Sequence, residues 1–489
     1  MTRAELMRRA GAGAVGLAAA GGGAYGLSQL LQDRAVGKVV VGSEAGTVNR
    51  FRSRPDLRPP VVSVLDRSGA TGHGYLLLAP CSGPGQSGPM IVDDAGNVVW
   101  FRQAHKTAMN LRAALYKGKP VLTWWEGDLD HRALGHGEHV IVDSSYREIA
   151  RFPPGRNRGG DVHEFVLTPD GTALVSAWAK VARNLLGRGG RRRHTVLDGV
   201  AQELEIPSGR VLFEWRSIDH VAFDETYVGV APLFDFFHIN SIDLAPDGDL
   251  IISARNTWAV YKISRETGEI VWRLGGKKSD FALGLGATFA RQHDARVHGD
   301  GSTISLFDNG AAPAVASQSR ALVIRLDERQ KEATVVQAYV HQPPLLAHYM
   351  GSTQILPNGN VLVGWGSEPY MTEFAKDGSI VFDARLPHAG QNYRALRMPW
   401  VGRPTSRPAL ASERVDGRRR LYASWNGATE LGKWLVRTGS RPGTLRHAAT
   451  VPATGFETAI ELPDTAAYAA VTALDRSGKA LATSRTIQL

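Results

Sequence analysis

One cysteine, Cys81, stands in a chain of 489 residues. No intramolecular disulfide can form, and a cysteine-rich zinc site is excluded. A chain this long can do without either, because its length and 43% hydrophobic content supply a large core. There is also no dense Lys/Arg helix and no RNA-binding aromatic motif. The formal net charge of +10 therefore points to an anionic surface or a small anionic substrate, not to nucleic acid. What is plentiful is glycine, 54 residues, as many tight turns require.

The first residues resemble an export signal. Arg8-Arg9 precede an uncharged Gly/Ala-rich run to Leu31, the pattern of a twin-arginine signal. Met7 stands where Ser or Thr is usual, and no A-x-A cleavage site follows. Residues 1–35 are therefore expected as a signal or a retained membrane anchor, and the protein as exported, extracellular or held at the cell envelope. The glycines would make a poor spanning helix.

Repeats dominate the rest. Five hairpins turn near Gly118, Gly171, Gly248, Gly301 and Gly359, as in HEFVLTPDGTALVSAW and INSIDLAPDGDLIISAR. Asp-Gly and Asn-Gly suit tight hairpin turns, and the flanks are rich in Leu, Val and Ile. Six further hairpins interleave with these, and GYLLLAP (74–80) offers a degenerate sixth copy of the first kind. Two alternating hairpins make a four-stranded unit of about 50 to 60 residues, a propeller blade. The expected fold is all-β: a six-bladed β-propeller over 55–398, a linker over 399–420, and a small fibronectin type III-like β-sandwich over 421–489. The basic stretch 179–194 reads as a solvated loop, and the aromatic insertion 216–240 as a lid or binding loop.

Aligned on their turns, the hairpins place Asn110, His163, Asn240, His293 and Gly351 eight residues before the glycine. His238 lies two before Asn240 and shares its face. Seven after the glycine come Trp125, Trp178, Arg255, Asp308 and Gly366. His163, His238, His293 and Arg255 are thus expected to converge at one mouth of the central channel. His131, His136 and His139 have no such register and are expected on the surface or in loops. Arg255 either meets substrate or pairs with Asp308. Three histidines could hold zinc or copper, but a guanidinium beside a metal is unfavourable, so no metal is expected. Imidazoles with a guanidinium suit an oxyanion, and sulfate or phosphate esters fit best. Asn240, Asp308, Asn309, Phe237 and Trp178 are the candidate substrate contacts. The aromatic group Phe234, Phe236 and Phe237 either holds a phenol ring or packs beneath the loop.

DVHEFVLTPDG, FDFFHINSIDLAPDGDLIISARNTWAVYKI, QHDARVHGDGSTISLFDNG and STQILPNGNVLVGWG resemble the arylsulfotransferase family of bacteria and fungi. The likeness spans about residues 54 to 398. It implies a propeller that moves a sulfuryl group from a phenolic sulfate ester to a phenolic acceptor, without a nucleotide donor or other cofactor. It implies His293 as the transiently sulfurylated nucleophile, with His163, His238 and Arg255 binding the sulfuryl oxygens and assisting proton transfer. Enterobacterial members use a disulfide that Cys81 alone cannot make, and the chain resembles an actinobacterial and fungal branch instead. Two other readings are an ester hydrolase with water as acceptor, and a non-catalytic envelope protein binding an anionic or carbohydrate ligand. The sequence leaves the oligomeric state open.

Overall fold

The computed structural model describes residues 46–130 and 134–489. The expected signal or anchor at 1–35 and His131 lie outside the described residues. Among the described residues, regular structure is almost all strand, and the α-helical exception is the single turn Ser217–His220. Among the described residues, no helix is long and apolar enough to cross a membrane.

Among the described residues, six sheets of four or five mainly antiparallel strands succeed one another between 63 and 398. Their first strands are Thr107–Tyr116, Gly159–Leu167, Ile239–Leu244, His293–His298, Ser352–Ile355 and Leu396–Met398. The hairpins form where the Asp-Gly signals stand. Gly248 and Gly301 take φ of +91° and +94°, which suits glycine. Their amides close the turns onto the Ala245 and His298 carbonyls at 2.9 and 3.1 Å.

Both faces of these sheets are buried, so the strands read as apolar runs. Period-two alternation then sorts successive residues into different layers. Leu250 and Ile252 pack toward the preceding sheet, Ile251 toward the following one. Leu77 joins Trp124 of the next sheet, whereas Leu76 and Leu78 join Leu362 and Phe382 of the last. First and last sheets are therefore neighbours, and the architecture is of the propeller type.

The closure corrects one expectation. Tyr75–Leu78 forms no hairpin of the inner kind. Pro80 interrupts it, and Pro80–Ser82 pairs instead with Gln391–Asn392. The missing inner strand is Leu396–Met398, with Tyr75 opposite Met398. At the other edge, Ser63–Asp66 adds an outer strand beside Ile380–Arg385.

Two further stretches are more strand-like than expected at their ends. The basic run 179–194 begins at the far end of a long ladder, in which Thr172–Arg183 pairs throughout with His194–Glu205, but its cluster Arg188, Arg191, Arg192 and Arg193 stands exposed in the connection between the two strands. The stretch 399–420 is not all linker. Ala409–Val415 and Arg418–Ser424 form a hairpin turning at Asp416-Gly417, strands that their many charges conceal. That hairpin opens a second β unit, whose three- and five-stranded sheets enclose Trp434. The unit docks on the first sheet, where Asn426 bonds the Phe101 backbone N–H and carbonyl at 3.0 and 2.8 Å.

His139 is also not at the surface. It is fully buried between the rings of Phe152 and Phe165. Burial holds it neutral, with its pKa pulled down to about 3. The unfolded chain therefore takes up a proton first as pH falls below about 6.5. Stability should then fall by up to about 1.4 kcal/mol per pH unit on this group's account, until about pH 3. Urea midpoints measured from pH 7 to 4 should fall less steeply for His139→Phe than for the parent.

Candidate active site

At the open ends of four inner hairpins the ladder is interrupted: between Met109 and Arg112, Gly160 and Phe165, Ile239 and Ser241, and His293 and Arg296. A bulge breaks the strict alternation and re-aims a side chain. Asn110 and His238 have φ of +64° and +63°, unusual for residues with a Cβ. The repeated hairpin thus ends in a repeated irregularity, and there the candidate residues stand.

His163 and His238 meet edge to face, ring centroids 4.8 Å apart. Tyr393 lies 5.7 Å from the His163 ring and 6.2 Å from that of His293. His163 and His293 therefore flank one aromatic ring, and His238 adjoins His163. Their partners differ. His163 Nδ1 is 2.9 Å from the Asp161 carboxylate, and His238 Nδ1 is 2.5 Å from Asp235 Oδ2. His293 Nδ1 instead meets Asn309 Oδ1 at 2.7 Å.

That amide fixes a tautomer. Asn309 Nδ2 donates to the Ala347 and Met350 carbonyls at 3.0 and 2.9 Å, so its oxygen must face His293. The His293 Nδ1 then carries the proton, and Nε2 carries a lone pair. Burial, followed by the nearby Arg255 charge, holds the His293 pKa well below the usual histidine range. His293 is 2% exposed and neutral at pH 7. Asp161, by contrast, stays ionised: burial pushes its carboxyl up, but His163 pulls it down to about 2.

Asn240 is spent largely on scaffolding. Its Nδ2 donates to Gln292 O at 2.6 Å, fixing the strand that carries His293. Asn110 makes the matching bond to Val162 O, also at 2.6 Å, for the strand that carries His163. Asn240 Oδ1 is buried without a partner. Arg255 is 3% exposed and does not pair with Asp308. Its Nη1 donates to Asn256 Oδ1 at 3.2 Å, and burial, then Arg291, lowers its pKa to about 9.

Four candidate substrate contacts have other work. Asp308 accepts from Arg320 Nε and the Ala290 amide, both at 3.0 Å. Phe237 is fully buried against Trp215 and Tyr261, so with Phe234 and Phe236 it is core rather than acceptor pocket. Trp178 lies over Gly159, where a Cβ would meet the indole at 2.0 Å, and donates to Gly135 O at 3.0 Å. Asn309 orients His293 rather than presenting itself to a ligand.

Sequence reading missed five residues. Asp161 and Asp235 precede their histidines by two and three positions, and those spacings were a usable signal. Tyr393 and Arg394 follow the last recognisable repeat. Arg394 Nη1 donates to Asn110 Oδ1 at 3.0 Å and to His163 O at 2.9 Å, and Nη2 donates to Asn240 O at 2.9 Å. It also pairs with Glu164 and Asp294. Burial opposes the Glu164 charge, but Arg296 and Arg394 hold its carboxyl at about 2. The fifth is Arg291, beside His293. Among the described residues, no group of three or more His, Cys, Asp or Glu side chains is arranged to hold a metal.

Comparisons with known proteins bear on this geometry. The chain is similar to a protein of unknown function from Bacteroides caccae, at 12% identity over 66% of this chain and 98% of that one, with a TM-score of 0.41. It is similar to virginiamycin B lyase from Staphylococcus aureus, at 9% identity over 74% and 94%, with a TM-score of 0.34. At such scores no role passes from those proteins to this one. No curated protein matches the chain. The family model described as Arylsulfotransferase (ASST) matches residues 112–386, a span that holds His163, His238, Arg255 and His293. Since that span is more than half of the chain, this protein belongs to the arylsulfotransferase family.

Proposed function

We propose that the protein transfers a sulfuryl group from a phenolic sulfate ester to a phenolic acceptor through a sulfohistidine at His293. The observation that carries this reading is the contrast among the three histidines. An amide partner leaves His293 neutral with a free Nε2 lone pair, as a nucleophile needs. Carboxylate partners instead orient His163 and His238 through Nδ1, the arrangement in which an imidazole passes a proton through its other nitrogen.

In the first half-reaction, Nε2 of His293 attacks sulfur. The N–S bond forms, the S–O(aryl) bond breaks, and the leaving phenolate takes a proton from His163 or His238. In the second, an acceptor phenol returns its proton to that imidazole, its oxygen attacks sulfur, and the N–S bond breaks. Arg255 balances the charge that builds on the sulfuryl oxygens. No cofactor or metal is needed. The scaffold of this reading is a six-bladed propeller followed by a fibronectin type III-like sandwich. Delivery is by the twin-arginine-type segment at 1–35, either as a cleaved export signal or as a retained anchor.

The purified chain with 4-nitrophenyl sulfate and phenol, and no nucleotide sulfate, should release nitrophenol in a phenol-dependent way and form phenyl sulfate. Release that ignores phenol would make the protein an ester hydrolase. No release from a range of aryl sulfates would leave a binding protein.

A further inference from the structure

Arg291 stands two residues before His293 and is 5% exposed. Among the described residues, its Nε and Nη1 are buried without a hydrogen-bond partner. Among the described residues it forms no salt bridge, and its guanidinium lies 6.0 Å from the Trp258 ring. Burial lowers its pKa. The backbone holds Arg291 at φ +56°, sparsely populated for a residue with a long side chain.

Buried arginines elsewhere in this protein are matched with carboxylates. Arg394 meets Glu164 and Asp294, and Arg397 meets Asp94 and Glu373. Among the described residues the exceptions are Arg255 and Arg291, and they are close enough to repel one another. Two buried like charges are costly unless an anion enters between them, and the nearby Asp235 acts on Arg255 while it already partners His238. A guanidinium presents paired donors that match the edge of a tetrahedral oxyanion.

We propose that Arg291 is a second oxyanion-binding residue, and that it and Arg255 together grip a tetrahedral oxyanion beside His293. The inference deepens the proposed reaction, in which that oxyanion is the sulfuryl group in transfer, but the grip on the anion does not depend on transfer. Neither the family match nor the hairpin register singles out Arg291; its unmet donors do.

Calorimetric titration of the full chain with sodium sulfate at pH 7, with sodium chloride as the ionic-strength control, tests this. The parent should bind sulfate, and Arg291→Gln should weaken binding at least about tenfold. Arg291→Met without sulfate should melt about 2 °C higher than the parent, because it removes an unmatched buried charge. A merely structural arginine would give the opposite shift. Absence of sulfate binding by the parent would overturn the proposal. So would a folded Arg291→Gln that binds sulfate as the parent does. Sulfate binding that needs both arginines, in a protein that transfers no sulfuryl group, would uphold the grip and dismiss the reaction. Transfer activity with sulfate binding untouched by Arg291→Gln would do the reverse.

Discussion

His293→Asn should abolish sulfuryl transfer, lowering kcat/KM by about three orders of magnitude or more. Asparagine is smaller than histidine and polar, so the variant should keep the parent's circular dichroism and come close to its melting temperature. The loss would then belong to chemistry rather than to folding. The parent's pH profile is the companion measurement. The His293 pKa lies well below the usual range, because of burial and then Arg255. The neutral, nucleophilic form therefore persists as pH falls through 6.5. An acidic limb of kcat/KM caused by this nucleophile should begin well below the pH at which an ordinary histidine gains its proton. Retention of phenyl sulfate formation by His293→Asn would end the sulfohistidine reading, whatever the profile.

Arg394→Met should be among the most destabilising single changes in the protein, costing about 3–5 kcal/mol. The side chain is 2% exposed and is matched to two buried carboxylates, Glu164 and Asp294. Arg296 also reaches both, so without Arg394 the two carboxylates would share Arg296, with Arg112 at 3.9 Å from Glu164 the one further cation. The same guanidinium ties together carbonyls of the strands bearing His163 and Asn240. Activity should therefore fall by more than the unfolded fraction explains. Urea midpoints and kcat/KM of Arg394→Met, Glu164→Gln and the double variant form the test. In the double variant the surplus negative charge is gone, so part of the stability should return. Purely additive losses would show that Arg394 serves the core without this charge matching.

Much of this was legible in the sequence because it rests on short-range chemistry. The Asp-Gly turns and apolar flanks marked the hairpins, and counting from the glycines brought out His163, His238 and His293. The carboxylate partners were legible in principle, since DVH and DFFH keep acid and imidazole within three residues. Roles that depend on the third dimension were not. Nothing local separates Asp308, held by Arg320, from a ligand contact, or Phe237 in the core from a ring at a pocket wall. Arg394 lies where the repeat has already ended, more than 200 residues from Glu164. His139 breaks the rule that polar residues avoid the interior, and a core that desolvates one imidazole leaves no pattern along the chain.

The pairing of Tyr75–Leu78 with Leu396–Met398 also sets a timetable. A ribosome makes the first partner more than 300 residues before the second. Throughout that interval the nascent chain carries an apolar strand with an unsatisfied edge, the kind of surface on which unfinished copies pair with one another. A product that ends before residue 396 cannot make this pairing, and its first sheet keeps that edge open. Closure of the first sheet therefore waits for one of the last strands of the propeller-type unit to be made.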